Sequence, residues 1–209
     1  MDTTIDSVCC LPVGSPDRIE LDAVVGINED IKEVMRIANG LNLAAINAML
    51  IAKKIGDASS GFSVVSAELR TFSRRLSEVM SRLMELVSAL VREVAGMIRL
   101  DKALSLQQAT RAAATHYPHW EAMWRRKSGE LARSGAAVLD CRANLTSALA
   151  RADKLCVMGQ SLSYSAKIES VYGGAQAGAL KHVSEGVEAS VREILSTLQK
   201  LAGQLETKR

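Results

Sequence analysis

The sequence VVGINEDIKEVMRIANGLNLAAINAMLIAKKIGDASSGF, residues 24–62, specifies the architecture of this 209-residue chain. Its apolar residues recur in alternating steps of three and four, the spacing of a helix that packs along one seam. The seam residues are Val24, Ile27, Ile31, Val34, Ala38, Leu41, Ala45, Ala48, Ala52 and Ile55. The glycines and serines of residues 56–61 then supply turn conformations and helix caps. The segment predicts a long helix that ends in a chain reversal.

This helix is the first arm of a predicted hairpin. Ser15-Pro16 offers an N-cap and a favoured first-turn proline, so the helix is expected to start there, after a flexible tail over residues 1–15. The same apolar spacing resumes after the turn and predicts a second helix over residues 62–115. The first hairpin is therefore predicted over residues 16–116, with its turn at 56–61.

A second hairpin is predicted over residues 117–209. Pro118 disfavours helix in the residue before it and starts a new helix well, so a third helix is expected from about Trp120 to Val171. The glycines of residues 173–178 predict its turn, and a fourth helix follows. The residues of the third helix expected to face inward are Leu131, Val138, Cys141, Leu145, Ala152, Leu155, Leu162 and Ala166.

The two hairpins align with each other as an internal repeat. A shift of 118 residues superposes Gly56 on Gly174 and Phe62 on Leu180 without gaps. The two middle helices have nearly equal lengths, so both turns are expected at one end of the molecule.

The whole chain is predicted to be all-α. Aromatic residues make up 3% of it and prolines number 3, which argues against a sandwich or barrel. One hairpin alone would leave an apolar stripe exposed, and a second hairpin can cover it. The sequence thus predicts a long antiparallel four-helix coiled-coil bundle made of two hairpins in one chain, either a monomer or a dimer-like unit within one chain.

Several function classes are excluded at this level. The net charge of +3, without long charged runs, gives no footprint for nucleic acid. Asn42 and Asn47 interrupt the longest apolar run, so no membrane insertion is expected. Asp2 and Asp6 replace the basic residues of a secretory signal, and cytoplasmic localisation is therefore predicted.

No enzyme chemistry is predicted either. The sequence offers no nucleophile beside a base, no paired carboxylates in a pocket and no phosphate-binding loop. The four cysteines fit no disulfide framework or metal spacing. We therefore expect no catalytic residue, no metal and no cofactor.

Residues 37–73 resemble the hairpin tip of bacterial methyl-accepting chemotaxis receptors. The resemblance combines asparagines, glycines and charges with the apolar spacing and needs no insertion. The matching residues are Ile37, Ala38, Asn42, Leu43, Ala45, Asn47, Ala48, Ala52, Gly56, Gly61, Phe62, Val64, Val65, Glu68 and Arg70. It implies a four-helix tip that binds a coupling protein, a histidine kinase and other receptor tips.

The resemblance also implies which residues act. Gly56, Asp57 and Gly61 would form the turn. The partner-binding residues would be Asn42, Leu43, Ile46, Asn47, Lys54, Val64, Glu68 and Arg70. Of the valine pair after the turn, Val65 shares the seam with Phe62, so Val64 is expected to face the partner. The second hairpin, which keeps Glu169 where the family has a glutamate, resembles a degenerate copy.

The predicted function is that of a soluble, receptor-like chemotaxis signalling or adaptor protein. It would dock through its tip onto coupling protein, histidine kinase or receptor tips. Whether it activates, scaffolds or competes is left open by the sequence. The alternative is a structural helical bundle that binds an unrelated partner.

Overall fold

The computed structural model describes residues 21–56, 60–111, 119–172, 174 and 177–206. They form four helices: α1 (Leu21–Ile55), α2 (Ser60–Arg111), α3 (Trp120–Ser170) and α4 (Ala177–Glu206). Each helix packs against its neighbour in chain order, and α1 also packs against α4, which closes an antiparallel bundle. The predicted fold class is confirmed. The predicted tail over residues 1–15, the helix start at residue 16 and the break at residues 116–118 lie outside the described residues.

The predicted seams form the core of the bundle. On α1, the seam residues from Ile27 to Ala52 are all buried, and Ile55 is half-buried. On α2, seam residues such as Leu69, Leu76 and Leu83 are buried, while Val65 and Val79 pack against the core from its edge. Apolar spacing alone was therefore sufficient to identify the inward faces of these two helices.

Both chain reversals lie at one end of the bundle. Gly61 near the start of α2 lies against the carboxylate of Glu169 near the end of α3. Far from the reversals, Lys200 Nζ of α4 donates to Asp30 Oδ1 of α1 at 2.9 Å. We call the end with the reversals the tip (residues 39–56, 60–77, 157–172 and 177–195). Its innermost core consists of Ala48, Ala52, Phe62, Ala166 and Leu180.

The turn glycines are required by their backbone conformation. Gly56 has φ +85° and Gly174 has φ +51°, values that residues with a side chain rarely adopt. The predicted turns extend too far, however. Helix α2 already begins at Ser60 and α4 at Ala177, so Gly61 belongs to the first turn of α2. The sequence reasoning assigned Gly61 to the turn because glycine favours turns, whereas here it provides space for Glu169.

Two pairs of residues near the start of α2 and α4 that the 118-residue shift relates are equally buried. Phe62 and Leu180 are both fully buried, as are Ser66 and Ser184. The two serines even satisfy their hydroxyls in similar ways, because Ser66 Oγ donates to the Phe62 carbonyl and Ser184 Oγ to the Lys181 carbonyl, each at 2.8 Å. The register of the proposed repeat therefore agrees with the packing of the two hairpins.

Part of α1 is long and apolar enough to cross a membrane. Averaged over 18 residues, the segment Gly26–Ile55 passes this test of length and composition, although asparagines interrupt its apolar run. A core helix of a soluble protein passes the same test. In this bundle the seam of α1 packs against other helices, but only 33% of the apolar window is buried, and Leu43 and Leu50 are among the exposed residues of the segment.

Candidate partner-binding tip

The predicted residues of α1 form an outward-facing row near the tip. Leu43 is 62% exposed, and Asn47 and Lys54 are exposed as well. Ile46 is half-buried on the flank of this row. Leu50, one heptad after Leu43, is also exposed, although the sequence analysis did not select it. An apolar side chain of this size in water gains from burial by a partner.

The valine pair after the first reversal is arranged as predicted. Val64 is 64% exposed, whereas Val65 packs against the core. Glu68, one turn further along α2, is exposed on the same side of the helix as Val64. The structure thus provides an accessible Val64 at the place where the sequence predicted a contact.

Arg70 does not lie beside Val64. At 100° per residue, six residues place it about 120° around α2 from Val64. Its side chain instead borders a groove between α1 and α2, together with Asn42. The predicted partner-binding residues are therefore divided among the outer row of α1, the outer side of α2 and this groove.

The predicted turn residues have three different outcomes. Gly56 has the positive φ that its turn requires. Asp57 lies outside the described residues. At Gly61 a Cβ atom would come 2.1 Å from Glu169 Oε2, so a larger residue here would require the carboxylate of this flexible side chain to move. Glu169 lies next to the N-terminus of α2, where a negative charge is favoured by the helix dipole.

Six of the nine exposed large apolar residues of the tip lie on α3 or in the two residues that follow it, where the sequence predicted no partner-binding residue. Between residues 157 and 172 the exposed large side chains recur at helical spacing and share one outward side. We call this surface the α3 outer face; it consists of Val157, Tyr164, Ile168, Val171 and Tyr172. Met158 is exposed at its edge.

The fully buried residues of the same segment are small, while Leu155 and Leu162 pack against the core from its edge. The small residues are Gly159, Ser163, Ala166 and Ser170, preceded by Ala148, Ala152 and Cys156. An ordinary amphipathic helix buries its large apolar residues and exposes small or polar ones. This part of α3 also carries large apolar residues on its outer side, and the packing of the bundle does not account for the exposed ones, such as Tyr164 and Ile168.

The α3 outer face has a counterpart on α1. The 118-residue shift relates Ile168 to Leu50 and Tyr164 to Ile46. Because α1 and α3 are diagonal in the bundle, the two surfaces face opposite sides of the tip. Of the eleven exposed large hydrophobic residues in the described ranges, nine lie at the tip and only Leu106 and Leu139 lie elsewhere.

Ion pairs connect α3 and α4 at the tip. Lys167 Nζ of α3 donates to Glu188 Oε2 of α4 at 2.9 Å, and Arg192 donates to the other carboxylate oxygen at 3.1 Å. The hydrogen bond from Lys167 lowers the pKa of Glu188, and the same bond raises the pKa of Lys167. This exposed network ties α3 to α4, and pairs of this kind contribute little to stability.

In the ranges that the structure describes, no group of three or more His, Cys, Asp or Glu residues is placed to hold a metal ion. The tip offers apolar side chains, carboxamides and arginines, which suit the binding of another macromolecule.

Comparison of the chain with protein-family models, curated proteins and solved structures finds no match. The resemblance to chemotaxis receptors therefore depends on residues 37–73 alone, and the function is argued from the site.

Proposed function

We propose that this chain is a receptor-like chemotaxis signalling or adaptor protein that docks through its tip onto coupling protein, histidine kinase or receptor tips. The observation that carries the proposal is the concentration of exposed large apolar side chains at the tip. Large apolar side chains exposed together in one region of a surface are typical of interaction sites.

The apolar outer side of α3 strengthens this reasoning. Two tyrosines, Tyr164 and Tyr172, stand in water on the outer face although tyrosine is enriched where partners bind most strongly. Apolar surface buried at an interface contributes about 25 cal/mol per Å² before the costs of association. Because other residues fill the core side of α3, these large side chains are available to a partner without disturbing the bundle.

The resemblance supports the identity of the partners. Leu43 and Val64 match the receptor tip in sequence and are also exposed in the structure. The alternative, a structural bundle with an unrelated partner, would use the same exposed surface. It differs only in which proteins bind, so the test must use purified chemotaxis components.

The test is a pull-down of purified coupling protein and histidine kinase with four forms of the chain. These are the wild type, Val64→Asp, Ile168→Asp and the control Leu139→Asp. Leu139 is 66% exposed on α3 but lies far from the tip, so its substitution introduces the same charge at a comparable exposure. All three positions are exposed, and each variant should keep the wild-type stability within about 0.5 kcal/mol.

We expect the wild type and Leu139→Asp to retain the partners, and at least one tip variant to lose them. Loss with Val64→Asp alone would assign binding to the first hairpin, as the sequence predicts, whereas loss with Ile168→Asp would assign it to α3. The proposal is wrong if the wild type retains neither component, or if both tip variants bind as well as the control.

A further inference from the structure

A polar groove of about 570 Å³ runs between α1 and α2 at the tip. This volume lies within the range of about 300–1,000 Å³ that is typical of ligand pockets. Its walls carry two guanidinium groups, two carboxamides and three hydroxyls, and they include no carboxylate. The lining residues are Asn39, Asn42, Ala67, Arg70, Thr71, Ser73, Arg74 and Ser77.

Most of these polar groups can form further hydrogen bonds. Arg70 forms no ion pair with any residue that the structure describes, and Arg74 only approaches Glu78, at 4.0 Å. The side chains of Asn39 and Asn42 form no hydrogen bond within the described ranges, although Asn42 is half-buried. A half-buried amide without a protein partner is a group that a ligand can satisfy.

The equivalent position in the second hairpin carries the opposite charge. The 118-residue shift relates Arg70 to Glu188, which is paired with Lys167 and Arg192. In the second hairpin a carboxylate thus pairs with two cations, whereas in the first hairpin Arg70 has no ion pair among the described residues and Arg74 has only the 4.0 Å approach of Glu78. The shift relates Arg74 to Arg192, so the two hairpins share one arginine and differ in the charge at the position of Arg70.

We infer that the groove between α1 and α2 binds an acidic peptide segment of a partner protein, with Arg70 and Arg74 receiving its carboxylates. The inference rests on the proposed docking function and adds the chemistry of the docked segment. A guanidinium binds a carboxylate through two parallel hydrogen bonds, the strongest recognition available to these side chains.

The spacing of the two arginines favours an extended segment with acidic residues at alternate positions. Arg70 and Arg74 are four residues apart on one helix, so their Cβ atoms are about 5–6 Å apart. Alternate side chains of an extended strand lie on one side, roughly 6.5 Å apart. A segment of the form Glu-x-Glu can therefore present one carboxylate to each guanidinium, while Asn39 and Asn42 donate to its main-chain carbonyls.

The experiment measures the fluorescence anisotropy of a labelled peptide, (Glu-Ser)4, titrated with the full chain at low salt. The peptide (Gln-Ser)4 keeps the length and removes the charge. Arg70→Gln/Arg74→Gln tests the groove. The matched control, Arg75→Gln/Arg92→Gln, removes the same two charges from exposed positions of α2 outside the groove. Every substituted side chain is exposed, so each double variant is expected to fold.

We expect (Glu-Ser)4 to bind the wild type and the control double variant with similar affinity, and the groove variant about tenfold more weakly or worse. The peptide (Gln-Ser)4 should not bind, and added salt should weaken binding by (Glu-Ser)4. The inference is overturned if the wild type does not bind (Glu-Ser)4, or if both double variants weaken it equally, since that would indicate non-specific attraction to a basic surface. Because this titration contains no chemotaxis protein, its failure is distinct from the failure of the pull-down.

Discussion

The close contact between Gly159 and Phe72 predicts that replacing this glycine by alanine lowers the free energy of unfolding. Gly159 is buried on α3, and a Cβ atom at this position would lie 2.7 Å from the nearest ring carbon of Phe72 on α2. That distance is about 0.7 Å shorter than ordinary van der Waals contact. The ring is itself buried and cannot retreat without shifting its neighbours. Overpacking of this kind costs about 1–3 kcal/mol.

Alanine also favours a helix over glycine, by about 0.5–1 kcal/mol, and this gain must be separated from the clash. Gly129 supplies the comparison because it lies within the same helix, is exposed and has open space around its Cβ position. Gly129→Ala should therefore raise the free energy of unfolding. Gly159→Ala should lower it, and the difference between the two variants, in which the helix term cancels, should be about 1–3 kcal/mol.

Urea unfolding followed by circular dichroism at 222 nm measures both values. Phe72→Leu completes a double-mutant cycle, because it removes the ring atoms that the new methyl group would meet. We expect Phe72→Leu to destabilise the Gly159→Ala chain less than it destabilises the wild type. Equal shifts for the two glycine variants, together with a coupling energy of zero, would refute this packing between α2 and α3.

Two further predictions concern the core. Leu83 is 1% exposed, so Leu83→Asp should destabilise the fold by roughly several kcal/mol. Ser81→Asp, at a neighbouring exposed position, should have little effect on stability. Comparable melting temperatures for the two variants would contradict the assignment of Leu83 to the seam of α2. Burial, with a smaller effect of the Asp153 charge, raises the pKa of the Cys156 thiol to about 12 from an ordinary value near 9.0. The unfolded chain therefore loses the thiol proton at a lower pH than the folded chain, and the free energy of unfolding should fall as the pH rises from about 9 to 12. The fall should be less steep in Cys156→Ala. Identical pH profiles for the two chains would show that the Cys156 thiol does not cause it.

The fold was predictable because large residues repeat along α1 and α2. Leu41, Leu69 and Leu76 mark their seams, and few alternative arrangements bury them all. The orientation of Val64 and Val65 followed from the same spacing. The lengths of the turns did not, since glycine and serine occur both in turns and at helix starts, and only the structure shows Ser60 and Gly61 in α2.

On α3 the same spacing identified the inward side, since Val138, Leu145, Ala152 and Ala166 are buried and Cys141, Leu155 and Leu162 pack against the core, but it did not single out the apolar residues of the outer face. The seam of α3 near the tip includes residues such as Gly159, Ser163 and Ser170, which carry little or no apolar signal. The large residues, among them Tyr164 and Ile168, repeat just as regularly but on the opposite side. That Gly159 is buried depends on the ring of Phe72 on the neighbouring helix, and this information is distant in the sequence. The heptad spacing of Val157, Tyr164 and Val171 was the available signal.

The alanine- and serine-rich core of the tip has a consequence for local opening. Although Phe62 and Leu180 also lie in the tip core, the alanines Ala48, Ala52 and Ala166 bury fewer methylene groups than the leucines farther from the tip, such as Leu83 and Leu201, and each buried methylene contributes about 0.8 kcal/mol. Amide protons at the tip should therefore exchange with solvent through smaller fluctuations than those in the middle of the bundle. A partner that covers the tip would slow amide exchange most strongly at the tip. The exchange rates of these amide protons are therefore a sensitive measure of binding.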